Sequence, residues 1–481
     1  MKKAIALLLL ACLTGAASTQ TFPRQRARTG RAHVSRRGLA PTPPMGWNSW
    51  DCYGPSVTEA EVKANAEYMA KHLKPFGWQY VVVDIQWYEP KAKAHGYRPN
   101  AELIMDEYGR LTPALNRFPS AAGGKGFKPL ADYVHSLGLK FGIHIMRGIP
   151  RQAVRANTLV FGTKLRAGDV ADTESTCPWI DDMYGVRAGT PGGQAYYDSI
   201  SKLYAGWGVD YIKADDMSAY KHEEDAGADE ARLKEIAALG GALKNSGRPM
   251  VLSLSPGPAA PKQVEQLRDS AHLWRISGDF WDRWVDLRRQ FELGRKWTPY
   301  IAPNAWADAD MLPLGRIAIR GERGDDRMSL LTKDEQVTLM SLWAIFRSPL
   351  MMGGDLPSND AFTLSLLTNR EVLAVNQHSA GNRELFARGD RVVWAADVPG
   401  SPDKYLAIFN LGDAATPVEI KVRWSELGPR EKYRVRDLWQ RRDLGVFPDE
   451  VNATVSRHGA RLFRISPAAR RGRAAVSKGN V

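Results

Sequence analysis

Gly208-Val209-Asp210-Tyr211-Ile212-Lys213-Ala214-Asp215-Asp216 is a β-rich apolar run that stops on charge. Side chains alternate across a strand, so Lys213 and Asp215 share one face while Ala214 and Asp216 take the other. Similar runs recur at Met45 to Trp50, Tyr80 to Trp87, Lys140 to Met146, Pro249 to Ser255, Trp274 to Asp279, Tyr300 to Pro303 and Pro349 to Met352, making eight candidate strands. The stretches between them carry helical spacing. Thr58 to Leu73 places Val62, Ala66, Met69 and Leu73 on one face, and Thr332 to Phe346 does the same with Val337, Met340, Leu342 and Ile345. Strand and helix alternating eight times predict an α/β fold, a (β/α)8 TIM barrel, with its functional site at the C-terminal ends of the strands. Trp50, Asp84, His144, Asp215, Ser255, Asp279, Asp308 and Asp310 all fall at or just beyond such ends. Polar residues with a purely structural role would scatter over both ends of a barrel, so this clustering points to a site.

Two of these ends suggest chemistry. An ammonium beside Asp215 favours its ionised form, whereas Asp279 lies among Ile276, Phe280 and Trp281, and apolar surroundings raise a carboxyl pKa. One carboxylate kept charged and another kept protonated are the equipment for cleaving a glycosidic bond. Their separation decides between retention and inversion. Asp216 is the competing nucleophile, disfavoured because alternation turns it to the opposite face.

The chain has 481 residues, 44% hydrophobic and 25% charged, enough for one large domain and a smaller one with a substantial core. After about residue 385 the pattern becomes short alternating stretches, Arg391 to Ala396, Tyr405 to Phe409, Val418 to Val422, Tyr433 to Asp437 and Ala460 to Ile465, separated by Gly, Pro and Asp turns. These predict a small C-terminal antiparallel β-sandwich domain over 386–467, following a barrel over 41–385. The net charge of +13 comes almost entirely from the two ends: eight Lys and Arg and no acid before residue 41, and Arg470, Arg471, Arg473 and Lys478 after residue 467. A near-neutral body with basic tails argues against nucleic acid as a partner.

Met1-Lys2-Lys3 followed by Ala4 to Cys12 reads as the start of a secretory signal over 1–19, ahead of a basic linker over 20–40. Cleavage after Ala16-Ala17-Ser18 fits, and so does acylation at Cys12, because Leu9-Leu10-Ala11-Cys12 resembles a lipoprotein signal. Export to the periplasm or outside the cell is therefore expected, with lipid anchoring as a variant of it. No other segment has the ~20 apolar residues that a transmembrane helix requires. Cys52 and Cys177 could form one disulfide in an oxidising compartment. With no CxxC and no clustered His, no metal site is expected. Residues 468–481 read as a disordered basic tail.

Thr42-Pro43-Pro44-Met45-Gly46-Trp47-Asn48-Ser49-Trp50, Val83-Asp84, Lys213-Ala214-Asp215, Arg275 to Asp279 and Ala307-Asp308-Ala309-Asp310-Met311-Leu312, as an ordered set, closely resemble glycoside hydrolase family 27, the α-galactosidase family. The resemblance extends through Trp343 to Leu356, Val435-Arg436-Asp437-Leu438-Trp439 and His458-Gly459-Ala460-Arg461-Leu462. It implies retaining, cofactor-free hydrolysis of a terminal sugar on an oligosaccharide or polysaccharide, with Asp215 as nucleophile and Asp279 as acid/base. It further implies that Trp50 packs on the sugar's apolar face, that Asp84 accepts from ring hydroxyls, and that Lys213 and Arg275 donate to hydroxyls, with Asp308 and Asp310 as supporting ligands.

Three departures bear on substrate. Asp84-Ile85-Gln86-Trp87 lacks the second of two adjacent carboxylates usual in α-galactosidases, so Ile85 removes an acceptor and adds bulk where galactose carries its exocyclic CH2OH. β-L-Arabinopyranose has galactose's ring stereochemistry without carbon 6, and the chain resembles the β-L-arabinopyranosidase-type members. His144 stands where the family often has Tyr. Ser255-Pro256-Gly257 replaces the segment that reads the 2-substituent, a feature similar to α-N-acetylgalactosaminidases. The expectation is thus an exo-glycosidase for terminal α-D-galactosides and/or β-L-arabinopyranosides. The alternatives are an α-N-acetylgalactosaminidase and a noncatalytic carbohydrate-binding barrel.

Overall fold

The computed structural model describes residues 38–217, 230–428 and 432–468. The expected signal segment, the acylation site at Cys12, nearly all of the basic linker and nearly all of the C-terminal tail lie outside the described residues.

Eight parallel strands form the main sheet: β1 (Met45–Asn48), β2 (Tyr80–Val83), β3 (Lys140–Met146), β4 (Tyr211–Asp215), β5 (Val251–Leu254), β6 (Leu273–Arg275), β7 (Trp306–Asp308) and β8 (Leu350–Met352). They pair in the order β7-β6-β5-β4-β3-β2-β1-β8. The ring closes just beyond β7, where the Leu312 N–H donates to the Met351 carbonyl at 2.8 Å. Seven of the eight runs seen in the sequence are strands. The seventh is not: Thr298–Tyr300 is a 3-10 turn, and the strand lies six residues later at Trp306–Asp308. Pro299 precedes the misread run and Pro303 ends it, and a proline cannot donate to a ladder.

The strands are buried on both faces, as a parallel sheet covered by helices must be. Between β1 and β2, the helix Glu59–Tyr68 opens on a capping box, Thr58 with Glu61, and buries Val62 and Ala66. The helix Lys333–Phe346, before β8, opens on another, Thr332 with Glu335, and is buried nearly all round. Its environment explains this, because it lies between the barrel and the C-terminal domain and meets apolar neighbours on both sides.

That domain is a six-stranded antiparallel sheet with a two-stranded partner. The strands are β9 (Ala380–Arg388), β10 (Arg391–Asp397), β11 (Lys404–Asn410), β12 (Val418–Arg423), β13 (Tyr433–Asp437), β14 (Arg442–Phe447), β15 (Glu450–Val455) and β16 (Ala460–Pro467). The large sheet runs β9-β10-β11-β16-β13-β14, and β12 pairs with β15. Alternation along β10 divides its side chains: Val392, Trp394 and Ala396 join the barrel core, while Val393 and Ala395 face the inner core of the sandwich. Trp394 meets Phe346 of the intervening helix edge-on, with ring centroids 6.4 Å apart. Cys52 and Cys177 are buried free thiols, so the disulfide that their number permits does not form.

Candidate active site

A cavity of about 320 Å³ opens at the C-terminal ends of the strands, lined by residues from most of them. Trp50 and Asp51 follow β1, Asp84 and Ile85 follow β2, Lys213 and Asp215 end β4, Arg275 ends β6, and Asp279, Asp310 and Met311 lie on the loops beyond β6 and β7. Asp215 and Asp279, 64 positions apart in the chain, thus face one space.

Register explains the surroundings of Asp215. His144 on β3 lies level with Lys213 on β4, and Met146 lies level with Asp215. His144 therefore reaches Asp215 from the neighbouring strand, Nε2 to Oδ2 at 3.0 Å, and that nitrogen must carry the proton to meet a carboxylate. The other oxygen, Oδ1, accepts the N–H of Asp216 at 2.9 Å. Burial by itself would raise the Asp215 pKa. The hydrogen bond and charge of His144, then Lys213 and the Asp216 amide, outweigh it and take the carboxyl down to about 2. The ionised partner foreseen for Asp215 was Lys213, but the Lys213 ammonium pairs instead with Asp84 Oδ2 at 2.9 Å and acts on Asp215 from a longer range. Burial opposes the Lys213 charge, yet Asp84 and then Asp215 keep it protonated with a raised pKa.

Asp84 is held rigidly. Its Oδ2 accepts from Asn48 Nδ2 at 2.6 Å as well as from Lys213, and its backbone N–H donates to Ser49 Oγ at 3.0 Å. Burial pushes its carboxyl up, and Lys213, His144 and these hydrogen bonds more than offset that, leaving it below the ordinary value. Ile85, next to it, presents an apolar wall.

The Asp279 side chain is 41% exposed, and its Oδ1 lies 3.3 Å from Arg275 Nη2. The enclosed apolar setting expected from Ile276, Phe280 and Trp281 is only half present. Phe280 and Trp281 line the cavity, but a guanidinium faces the carboxylate. Arg275 also pairs with Asp310 Oδ2 at 2.6 Å, and the same oxygen accepts the Phe280 N–H at 2.7 Å. Burial raises the Asp310 pKa, Arg275 opposes, and Asp279 and Asp308 raise it further.

Two residues expected at the cavity surface lie behind it, and Asp308, expected as a supporting ligand, lies there too. His144 is wholly buried and supports Asp215 from beneath. Ser255 is buried, and Pro256 forms the wall in its place. Asp308 is buried below the floor, where its Oδ1 accepts the Asp310 N–H at 2.9 Å and shapes the turn that presents Asp310. The Asp216 carboxylate is directed away from the cavity into Arg147 and Arg232.

Sequence reasoning missed Asp51, Tyr97, Trp179 and the pair Glu322 and Arg323. Asp51 lies on the cavity floor beneath a closely approaching Gly353, where a Cβ would strike its carboxylate. Burial first, and then Asp310, raises its pKa well above the ordinary value. Its position directly after Trp50 at the end of β1 was the available signal. Tyr97 stacks on Trp50, with ring centroids 5.8 Å apart and an interplanar angle of 24°, and Glu322 is hydrogen-bonded to the same indole. These two come from long loops without periodicity, so no local pattern announced them. Among the described residues, no group of three or more His, Cys, Asp or Glu side chains is arranged to hold a metal ion. No helix among them is long and apolar enough to cross a membrane.

Residues 179–378 match the family model described as alpha galactosidase A, and residues 388–465 match that of the alpha galactosidase C-terminal β-sandwich domain. A crystal structure of a family 27 β-L-arabinopyranosidase from Geobacillus stearothermophilus, an Asp-to-Ala variant holding arabinose, is 53% identical. It superposes with a TM-score of 0.86, over 91% of this chain and 100% of that one. The chain belongs to glycoside hydrolase family 27. A second solved structure, that of a putative α-N-acetylgalactosaminidase from Bacillus halodurans, is 48% identical with a TM-score of 0.79, covering 89% of this chain and 97% of that one. Alpha-galactosidase 2 of Arabidopsis thaliana is 29% identical over 439 residues, 90% of this chain and 91% of that protein. As a family 27 member, the protein is a glycoside hydrolase. Its cavity is concave, with Asp51, Asp84, Lys213, Asp215, Arg275 and Asp310 among the charged groups that line it.

Proposed function

We propose that this family 27 hydrolase removes terminal β-L-arabinopyranosyl residues, and α-D-galactosyl residues more slowly, with retention of anomeric configuration. Asp215, held ionised, attacks the anomeric carbon while Asp279 gives its proton to the departing oxygen. The resulting glycosyl ester on Asp215 is cleaved when Asp279, now a carboxylate, takes a proton from water. Asp84 and Lys213, locked together, present an acceptor and a donor to ring hydroxyls. Arg275 and Asp310 hold the acid/base side, and Trp50, backed by Tyr97, offers an aromatic face.

The observation that carries the substrate assignment is Ile85 in the cavity wall beside Asp84. A galactoside's CH2OH would meet an apolar side chain there with no acceptor, at a cost of ~1–3 kcal/mol, or one to two decades of preference. A pyranoside without carbon 6 avoids that cost. N-Acetylgalactosamine retains carbon 6 and meets the same wall. The relative at 53% identity, itself a β-L-arabinopyranosidase, supports this preference. Turnover of p-nitrophenyl β-L-arabinopyranoside should exceed that of the α-D-galactopyranoside, and Ile85→Asp should raise the galactoside to arabinoside ratio of kcat/KM by about tenfold or more. An unchanged ratio would remove Ile85 from the account. Export directed by the Met1-Lys2-Lys3 and apolar segment completes the proposal, and an N-terminal sequence of the secreted protein tests it.

A further inference from the structure

Behind Asp215 lies a buried charge cluster that the two-carboxylate mechanism does not use. Arg147 follows β3 and donates from Nε and Nη2 to Asp216 Oδ2, at 2.9 and 2.8 Å. Its Nη1 meets Glu235 Oε1 at 2.5 Å, and Tyr197 closes the far side of Glu235. Arg232 completes the grip, with Nη2 on Asp216 Oδ1 at 2.8 Å and Nε on the Asp216 carbonyl at 3.1 Å.

What this grip holds is a backbone conformation. Asp216 has φ 55°, in the left-handed region that side chains other than glycine rarely adopt, Asp and Asn more often than most. In that conformation its N–H points at Asp215 Oδ1, 2.9 Å away. Arg147 adds a second tether, its own N–H donating to the Asp215 carbonyl at 2.9 Å. Gathering buried charges is a poor way to gain stability, since desolvation offsets most of the attraction. Its position, one residue from the nucleophile, gives it another use.

We propose that Arg147 is a positioning residue: with Arg232 it grips Asp216 and so fixes the left-handed turn whose N–H sets the rotation of the Asp215 carboxylate. An attacking oxygen must stand in line with the anomeric carbon, so a carboxylate free to turn about its last bond spends less time in a reactive pose. This inference rests on Asp215 being the nucleophile.

The test compares Arg147→Lys, Asp216→Ala and Asp216→Asn with Tyr197→Phe, which disturbs the far end of the same network. On p-nitrophenyl β-L-arabinopyranoside, Arg147→Lys and Asp216→Ala should lose about 10- to 100-fold in kcat, with KM within about twofold. Their acid limb in kcat/KM should move upward, because Asp215 would lose a donor while His144 and Lys213 remain. Asp216→Asn, which still enters the left-handed region readily, should fall between wild type and Asp216→Ala. It decides the matter if the other two do not fold. Tyr197→Phe should lower the melting temperature without moving the acid limb. Folded Arg147→Lys or Asp216→Asn enzymes with wild-type kcat and acid limb would overturn the proposal, as would an equal limb shift in Tyr197→Phe. Asp215→Ala run alongside separates the two ideas. If it is inactive while the Arg147 and Asp216 variants behave as wild type, only the positioning role fails. If it is active, the nucleophile assignment fails first.

Discussion

His144→Phe isolates the contact that most directly keeps Asp215 charged. The substitution removes the Nε2 donor 3.0 Å from Oδ2 while filling similar space at a wholly buried site. A hydrogen bond to a charged group contributes ~1.5–3 kcal/mol. Since ~1.4 kcal/mol moves a pKa by one unit, the Asp215 carboxyl should rise from about 2 by ~1–2 units. Burial, no longer opposed by His144, acts in the same direction. The measurement is kcat/KM for an activated nitrophenyl glycoside between pH 2.5 and 7, whose acid limb reports the nucleophile of the free enzyme. Stability should follow with a definite sign. The native carboxyl lies below its ordinary value of 3.8, so its ionisation stabilises the fold above about pH 4, and that contribution is lost as pH falls towards 2. The melting-temperature difference between wild type and variant should therefore shrink on acidification across that window. His144→Gln, which keeps an N–H donor, should restore part of the wild-type acid limb. An acid limb that does not move in His144→Phe would refute the assignment of His144 as the group holding Asp215 ionised.

Asp279→Ala should cost about 10²-fold or more in kcat/KM on a glycoside with a sugar leaving group, yet far less on a dinitrophenyl glycoside, whose departing oxygen needs no proton. Equal losses on both would refute the acid role. Trp394→Ala, which empties the wedge between the β-sandwich and the helix Lys333–Phe346, should destabilise the protein by ~3–5 kcal/mol in thermal or denaturant unfolding. A loss below 1 kcal/mol would show that the two cores are energetically independent. Ile85→Asp, with its shift in sugar preference, is the corresponding probe of substrate.

The barrel was legible because its strands are short apolar runs that stop on charge, a local signal that survives without knowledge of partners. It failed at Tyr300 to Pro303, a run preceded by Pro299 and ended by Pro303, and the true strand at Trp306–Asp308 is only three residues long. The site was legible as a set of strand ends, since the fold brings every C-terminus to one rim. Depth was not. Nothing in His144 or Ser255 marks them as lying behind the cavity surface, because one residue of register decides whether a side chain lines the space or supports its neighbour. The pairing of Lys213 with Asp84, 129 positions away, and of His144 with Asp215 is a product of interstrand register, which sequence spacing does not encode. Tyr97 and Glu322 come from loops whose approach to Trp50 is wholly tertiary.

During turnover Asp215 is expected to become covalently glycosylated. A slow-turnover fluorinated arabinopyranosyl or galactopyranosyl donor, followed by proteolysis and peptide mass mapping, reads this directly. One sugar per chain is expected, on the peptide carrying Lys213-Ala214-Asp215-Asp216, with fragmentation placing it on Asp215, and a product of retained configuration by NMR. A sugar on Asp216, or an inverted product with no adduct, would contradict it.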